Sequence, residues 1–407
     1  MPYTKQTYRW IMLTILWIVY FAFGLVSGSM APLVTPIVRD LDMSYSQMGL
    51  ILGSWQLVFI AASIVAGNVI DRWGERKSIL AGALIATVSA VLRYFSDGFE
   101  TMLVAVALLG AGMPMISVGG PKVISLWFEG KRRGTALGIY MTGAWIGSLA
   151  GLALTNSVVM PLTGNSWRIA FLSYGAVVLL AGLLWWFLAR DVRPEMASKR
   201  VGAVRTLGGI VRIRNVQIMI AMGLLALATS HGMMNWLPKI LETGGMSPAM
   251  AGFAASVNMF AGIPAVLFLP HLIPLHLRGR ALALSALGVV IALVGIIATS
   301  GPVQLAALIL LGFAGSAFLP IILLMLMDSS GIPTEYLGSA NGVLLSVAQI
   351  GGFVAPLMMG VLFEATSGFL TGVLVLAALN LVMFALAFQL RTGSKQEPAY
   401  SAQREAG

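Results

Sequence analysis

Three basic side chains fall inside or beside stretches that are otherwise apolar, where ionisable groups are rare. Arg93 and Lys122 lie near the ends of two such stretches, and His231 lies within a third. Because a buried positive charge attracts anions, we predict that Arg93, Lys122 and His231 contact an anionic substrate. His231 is also a predicted proton relay, since histidine titrates near neutral pH. The alternatives are an interfacial lysine, an interfacial or Asp97-paired arginine, and a hydrogen-bonded packing histidine.

Neutral polar residues in the same apolar stretches could complete a substrate site. The predicted members are Ser29, Gln56, Asn235, Asn258 and Gln349. The 15 Asp and Glu residues can all be assigned to loops or helix ends, so an incoming cation would find no central counter-charge. This distribution favours an anionic substrate over a cationic one.

Several other kinds of chemistry are not supported by the composition. The chain has no cysteine, and its 3 histidines are scattered, which argues against a metal site. We find no nucleophile paired with a base and no phosphate-binding loop. The sequence therefore predicts a protein that is not an enzyme and that needs no metal or cofactor.

The elements that carry these residues are predicted to be membrane-spanning helices. Hydrophobic residues make up 58% of the 407 residues and charged residues 10%, against about 25% charged in soluble domains. A span needs roughly 20 apolar residues. The candidate stretches, which predict an all-α membrane protein with twelve spans, are residues 10–37, 46–70, 78–95, 100–128, 134–160, 168–189, 216–238, 248–273, 281–300, 303–327, 338–363 and 367–390.

The basic residues indicate how these spans are oriented. Most of the 25 Lys and Arg residues lie in the N-terminal segment, the even-numbered loops and the C-terminal tail. Because basic loops stay in the cytoplasm, we predict a bacterial inner-membrane protein with both termini cytoplasmic. The first apolar stretch lacks a cleavage site and is predicted to remain as a helix. Topology and contact with anionic lipids then explain the net charge of +10, and nucleic-acid binding does not.

A repeat divides the chain into two halves. Two groups of residues recur at a spacing of half the chain length, which indicates duplicated six-helix units. The first-half residues are Met43, Ser44, Gly49, Gly134, Ala136, Gly138 and Gly147, and their counterparts are Met246, Ser247, Gly252, Gly338, Ala340, Gly342 and Gly351. The predicted protein is a monomer with six-helix bundles at 1–189 and 216–390. A cytoplasmic linker at 190–215 and a cytoplasmic tail at 391–407 complete it.

The loop after the second span carries the most specific motif of the chain. Residues 67–77 read Gly-Asn-Val-Ile-Asp-Arg-Trp-Gly-Glu-Arg-Lys. This resembles the signature of the major facilitator superfamily at every defined position, and the resemblance implies two pseudo-symmetric bundles that form a transporter. In physical terms, Gly67 would let two helices touch, and Asp71 would meet a helix N-terminus. The predicted gating residues are Gly67, Asp71, Arg72, Gly74, Arg76 and Lys77.

A narrower resemblance is carried by spans 3, 4 and 7. Leu92-Arg93, Gly120-Pro121-Lys122 and Asn235-Trp236-Leu237-Pro238 resemble the cyanate and 2-nitroimidazole transporter-like subfamily. An arginine that this subfamily often has in span 1 is absent from residues 27–32. We predict secondary active transport of a small anion, an organic acid or a cyanate-like species, by alternating access. Proton symport or exchange could drive it. The alternative is an efflux carrier for drugs or neutral metabolites.

Overall fold

The computed structural model describes residues 5–190, 213–329 and 337–390. These residues contain twelve helical stretches that are long and apolar enough to cross a membrane, which confirms the predicted all-α fold. We number them as spans 1 to 12: Tyr8–Asp40, Tyr45–Trp73, Glu75–Tyr94, Phe99–Trp127, Arg132–Leu162, Trp167–Leu188, Arg214–Thr243, Pro248–Leu269, Leu275–Ala298, Gly301–Met327, Ala340–Thr366 and Leu370–Gln389. The predicted linker and tail lie almost wholly outside the described residues.

Some spans are built from more than one helix. The α-helices are Lys5–Gly28, Val34–Asp40, Tyr45–Trp73, Glu75–Tyr94, Phe99–Ser117, Gly119–Trp127, Lys131–Leu154, Met160–Leu162, Trp167–Leu188, Arg214–Thr243, Pro248–Leu272, Arg278–Ala298, Gly301–Ser316, Phe318–Met327, Leu337–Thr366 and Leu370–Gln389. Span 4 breaks after Ser117, four positions before Pro121, because this proline has no N–H to donate to the Ser117 carbonyl oxygen and its ring crowds that carbonyl group. The second piece of span 4 carries Lys122.

Local sequence signals set the ends of the helix Tyr45–Trp73. The Ser44 side chain accepts a hydrogen bond from the Gln47 backbone N–H at 3.1 Å, and Gln47 Oε1 accepts one from the Ser44 N–H at 2.9 Å. This reciprocal pair satisfies two backbone donors that the helix start leaves free. At the other end Gly74 adopts φ +79°, a conformation that favours glycine, and the next helix begins at Glu75.

Contacts divide the chain into two compact units. The first lies within Met1–Ala197, His231–Phe260 and Gly352–Gly372. In this unit spans 1 and 5 pack at backbone distance, because a Cβ added to Gly147 would overlap the carbonyl oxygen of Phe21. Small residues permit such close approach between helices in lipid.

The second unit lies within Ser198–Ser230, Ala261–Gly351 and Val373–Gly407, and it contains the same kind of contact. A Cβ added to Gly351 would overlap the carbonyl oxygen of Leu224. Gly147 and Gly351 are partners in the predicted repeat, and Phe21 and Leu224 stand at nearly the same spacing. The repeat detected in the sequence therefore corresponds to one helix contact that is used in both units.

We expect Gly147→Ala to lower the stability of the protein, whereas Gly134→Ala does not. Overpacking of a tight contact costs about 1–3 kcal/mol. Gly134 is the matched control, because it lies on the same helix and a Cβ added there would meet nothing within 4 Å in the described structure. Thermal unfolding in detergent measures both variants. Equal unfolding temperatures would contradict the assigned contact.

Candidate substrate site and gating cluster

The motif at residues 67–77 forms an ion-pair cluster at one face of the first unit, which we call the motif face. Lys122 Nζ lies 2.8 Å from Asp71 Oδ1 and 2.8 Å from Glu75 Oε1. Glu75 is the more enclosed partner, with 11% of its side chain exposed against 53% for Asp71. The turn at Gly74 separates the helices that carry the two carboxylates. Lys122, predicted to face a substrate, is therefore neutralised within the motif in this structure.

Arg76 connects the start of span 3 to the end of span 6. Its Nε donates to the Trp186 carbonyl oxygen at 2.9 Å, and its guanidinium carbon lies 4.5 Å from the centre of the Trp186 ring. Trp185 Nε1 donates to the Arg76 carbonyl oxygen at 3.1 Å. Arg72 and Lys77 are exposed. Basic side chains in such positions can reach lipid headgroups or water.

Gly67 requires a correction to the sequence interpretation. We expected it to bring two helices together, but an added Cβ would meet nothing within 4 Å in the part of the chain that the structure describes. At the other end of the same helix, a Cβ on Gly49 would lie 2.5 Å from the Pro356 carbonyl oxygen. Span 2 is therefore in backbone contact with span 11 at Gly49, whereas space is left beside Gly67 in the described structure.

Arg93 is a buried cation near the end of span 3, with 1% of its surface exposed. Its Nη2 donates to Ser89 Oγ at 3.2 Å, and the Ser89 hydroxyl donates to the Ala105 carbonyl oxygen at 2.6 Å. The guanidinium carbon lies 5.1 Å from the centre of the Phe171 ring. A hydrogen bond and a cation–π contact therefore hold the planar group in place.

Arg93 has no carboxylate partner among the described residues. Its Nε and Nη1 are buried without a hydrogen-bond partner there. Asp97, the partner considered from the sequence, instead accepts a hydrogen bond from Thr101 at 3.0 Å. The interfacial alternative also fails, because the arginine side chain is enclosed by protein. The positive charge therefore lacks a counter-charge within these residues.

A small cavity in the first unit adjoins Arg93. Its volume of about 10 Å³ is close to the space that one water molecule needs. The residues lining it are Val26, Ser27, Met30, Leu52, Trp55, Arg93, Val106, Leu109 and Asn235. This lining combines one cation, two neutral hydrogen-bonding side chains and an aromatic wall. Such a set can orient a small anion once the cavity widens.

His231 lies on span 7, one helical turn before Asn235. The rings of His231 and Trp55 meet edge-on with centroids 5.9 Å apart, and Asn235 Nδ2 donates to the His231 carbonyl oxygen at 2.8 Å. An added Cβ at Gly352 would lie 2.5 Å from His231 Nδ1, so this glycine leaves space for the imidazole. The structure thus brings His231 beside two residues that line the same cavity as Arg93.

The remaining predicted polar residues are placed differently. Ser29 Oγ donates to the Val26 carbonyl oxygen at 2.9 Å, so its hydroxyl is used within its own span. Both amide atoms of Gln56 are buried without a hydrogen-bond partner among the residues described. The side-chain oxygens of Asn258 and Gln349 are likewise buried without a hydrogen-bond partner among those residues. Gln349 belongs to the second unit.

Two residues that hold Arg93 were not singled out from the sequence. Ser89 stands four positions before Arg93, and residues at this spacing on a helix are neighbours, so the pair could have been recognised. Phe171 comes from span 6, and no sequence signal pairs it with Arg93. Within the described ranges, no group of three or more His, Asp or Glu residues could hold a metal ion.

The comparison with protein families identifies the architecture. A family model described as the Major Facilitator Superfamily matches residues 16–356. The chain belongs to the Major Facilitator Superfamily. Its members are membrane transporters, which confirms the superfamily prediction and the prediction that the protein is not an enzyme.

Similar proteins span nearly the whole chain. The uncharacterized transporter YycB of Bacillus subtilis (strain 168) is 25% identical, covering 94% of both chains. A putative tartrate transporter of Agrobacterium vitis is 26% identical over 88% of this chain and 84% of its own. The hexuronate transporter of Escherichia coli (strain K12) is 23% identical over 92% of both. These three proteins are transporters by name, and two of the names specify an organic acid.

A solved structure shows the same fold. The bacterial homolog of the human lysosomal transporter Spinster, in its inward-facing and unoccupied conformation, matches with a TM-score of 0.78 and 17% identity. The match covers 96% of this chain and 99% of that one. At this level of identity the likeness establishes the fold of the superfamily alone.

We expect Glu75→Gln to destabilise the protein more than Asp71→Asn. Both substitutions remove one carboxylate from Lys122, but Glu75 is the more enclosed. Loss of the exposed Asp71 pair costs under about 1 kcal/mol, and loss of the Glu75 pair about 1–3 kcal/mol. Thermal unfolding at two salt concentrations measures this, with the Asp71 effect shrinking as salt rises. A larger loss of stability in Asp71→Asn than in Glu75→Gln would contradict the assigned cluster.

Proposed function

We propose that the protein carries a small organic anion across the membrane by alternating access, with Arg93 as the main anion-binding group. The observation that carries this proposal is a buried guanidinium for which the described residues provide no carboxylate. Removing a charge from water costs several kcal/mol, and an ion pair offsets that cost only when a partner is present. An anionic substrate supplies the partner that the protein lacks.

The polar groups of the cavity support a carboxylate or a similar planar anion. Arginine can donate two parallel hydrogen bonds to a carboxylate. Since Ser89 takes one N–H of Nη2, the other N–H of Nη2 and the two unpartnered nitrogens remain for a ligand. Ser27 and Asn235 can bind further oxygen atoms of the same ligand. The tartrate and hexuronate transporters among the relatives favour an organic acid. Cyanate-like anions remain the finer prediction from the subfamily resemblance.

We assign Lys122 to the gating cluster and not to the substrate site. Its ammonium already contacts Asp71 and Glu75, and it lies at the motif face. The gating set then comprises the predicted motif residues together with Lys122. Gln56, Asn258 and Gln349 stay as predicted polar contributors that a substrate would contact in other stages of transport.

The orientation and the division into halves extend this proposal. Basic loops at the motif face favour a cytoplasmic position for that face, with both termini inside and the protein in an inner membrane. The opposite face then points outward. Two six-helix halves, at 1–189 and 216–390, would move about the Arg93 region as a monomer, and the linker at 190–215 would join them in the cytoplasm.

Proton coupling is assigned to His231. It lies on a second-half span beside Trp55 and Asn235, both of which line the cavity. The charged group of that cavity is Arg93 on span 3, while span 11 contributes the uncharged Gly352 beside the imidazole. Protonation of His231 would add positive charge near the anion and tie substrate binding to proton binding.

We expect Arg93→Met to abolish anion uptake and, at the same time, to raise the unfolding temperature of the ligand-free protein. The substitution removes an unpaired buried charge and retains an apolar chain of similar length. Uptake into proteoliposomes and thermal unfolding with a panel of hydroxy acids, sugar acids and cyanate measure both effects. The wild type should gain stability with a bound anion, and the variant should not.

Arg168→Gln is the control for loss of a positive charge elsewhere, because Arg168 is paired with Asp40 and is not among the residues that line the cavity beside Arg93. It should retain uptake. Unchanged anion-dependent stabilisation in Arg93→Met would contradict the assigned site.

We expect His231→Gln to flatten the pH dependence of uptake while leaving anion binding at neutral pH within about tenfold, a change of about 1.4 kcal/mol. Glutamine retains hydrogen-bonding groups but does not titrate. The measurement is uptake rate and anion affinity from pH 5 to pH 8, as the histidine passes between its two charge states. A variant with the pH profile of the wild type would remove His231 from the proton pathway.

A further inference from the structure

A group of polar side chains joins spans 1 and 7 at the face of the first unit opposite the motif. Lys239 Nζ donates to Thr35 Oγ1 at 2.9 Å, and Thr35 Oγ1 donates to Glu242 Oε2 at 2.5 Å. Lys239 and Glu242 also form a direct ion pair at 3.6 Å. We call these three residues the Thr35 bridge.

The chemistry of the hydroxyl fixes the direction of these hydrogen bonds. A threonine has one O–H to donate and lone pairs to accept, so it can link a donor and an acceptor at once. The two charged side chains are 11% and 10% exposed, which makes this more enclosed than an ordinary surface ion pair. Hydrogen bonds to charged groups are stronger than those between neutral groups. The bridge therefore favours contact between these span ends.

Two further polar contacts lie at the same face. Ser46, at the start of span 2, donates from its backbone N–H to Glu364 Oε1 at 3.1 Å, and its hydroxyl also hydrogen-bonds to that carboxylate. Asn156 Nδ2, near the end of span 5, donates to the Pro32 carbonyl oxygen at 3.0 Å and to the Pro248 carbonyl oxygen at 3.3 Å. First-half spans are thus joined to second-half spans 7, 8 and 11.

Glycine contacts support the same connections. A Cβ on Gly252 of span 8 would lie 2.5 Å from the Leu152 carbonyl oxygen of span 5. A Cβ on Gly360 of span 11 would overlap the Tyr45 carbonyl oxygen of span 2. The motif end of span 2 shows no such contact at Gly67, because a Cβ added there would meet no atom within 4 Å in the described part of the chain. Close backbone packing between first-half and second-half spans therefore occurs at the face of the Thr35 bridge.

The bridge also borders open space. Thr35, Glu242, Asn156 and Pro248 line a cavity of about 900 Å³ that opens to the surface of the first unit. Water can therefore reach two of the three bridge residues. Their hydrogen bonds can be exchanged for hydrogen bonds to water when the span ends separate.

We propose that Thr35 is a gating residue, and that its hydroxyl, shared between Lys239 and Glu242, closes the face opposite the motif. Opening that face during alternating access requires these hydrogen bonds to break. Removing them shifts the population toward the state that is open at that face. This inference rests on the proposed alternating access and on the proposed outward position of this face, and it does not depend on the identity of the substrate.

The absence of cysteine from the natural chain allows a direct test. A single Ser27→Cys reporter places a thiol in the cavity beside Arg93. The protein is labelled in intact cells with a membrane-impermeant maleimide and without substrate. Thr35→Val is compared with Thr35→Ser, because valine retains the shape without the hydroxyl while serine retains the hydroxyl.

We expect labelling of the Thr35→Val form to be at least about tenfold faster than that of Thr35→Ser, which should stay near the parent rate. A tenfold shift corresponds to about 1.4 kcal/mol, less than one hydrogen bond to a charged group contributes. Equal labelling of the valine and serine forms would overturn the proposal.

A charge exchange keeps the test informative if Thr35→Val fails to fold. In the double variant Lys239→Glu with Glu242→Lys, the hydroxyl can again donate to one side chain and accept from the other. Labelling should return to near the parent rate, whereas Lys239→Glu alone should label faster. Rapid labelling of the double variant would also overturn the proposal. Because no substrate is added, these outcomes are independent of the Arg93 anion site.

Discussion

Backbone contact through glycine holds the described helices together. Apolar side chains gain little when they leave lipid tails to contact one another, so helix association depends on close packing and on polar contacts between helices. Gly147 provides such packing between spans 1 and 5, and Gly351 provides it between spans 7 and 11. Gly49 and Gly360 do the same between spans 2 and 11. Gly67 makes no such contact within the described residues.

The charged side chains at the two faces are paired, whereas the enclosed charge of Arg93 is not paired within the described residues. At the motif face Lys122 is balanced by two carboxylates, and at the opposite face Lys239 is balanced by Glu242. Both groups lie at span ends, where they can separate and be hydrated during a conformational change. Arg93 differs, because it is enclosed and its position is fixed by Ser89 and Phe171. In our proposals the paired charges close the two faces, and the unpaired charge of Arg93 binds the anion.

The sequence was sufficient for the spans, the repeat and the superfamily, because these depend on hydrophobic length and on spacing along one chain. It also identified Arg93 as a basic residue inside or beside an apolar stretch, with an interfacial or Asp97-paired arginine as the alternative. It could not decide between the roles of Arg93 and Lys122, since that choice depends on which carboxylates the folded helices bring near each one. Asp71 and Glu75 reach Lys122 across a helix break, and Asp97 turns to Thr101 and away from Arg93.

Contacts between segments that are distant in the chain could not be predicted from the sequence either, because they too depend on which residues the fold brings together. Thr35 has no feature that separates it from other threonines near span ends, and its role follows only from meeting Lys239 and Glu242 in space. Gly67 shows the opposite case. Its motif is highly specific, but the helix contact expected from it is absent from the described conformation.

The small volume beside Arg93 has a thermodynamic consequence. A space for one water molecule cannot hold an organic acid, so the binding that we propose beside Arg93 requires a wider arrangement of the cavity. The apparent affinity is then the intrinsic affinity multiplied by the fraction of molecules in that wider state. Substitutions remote from the anion can therefore tighten or weaken its binding without contacting it, simply by changing how often the site is preorganised.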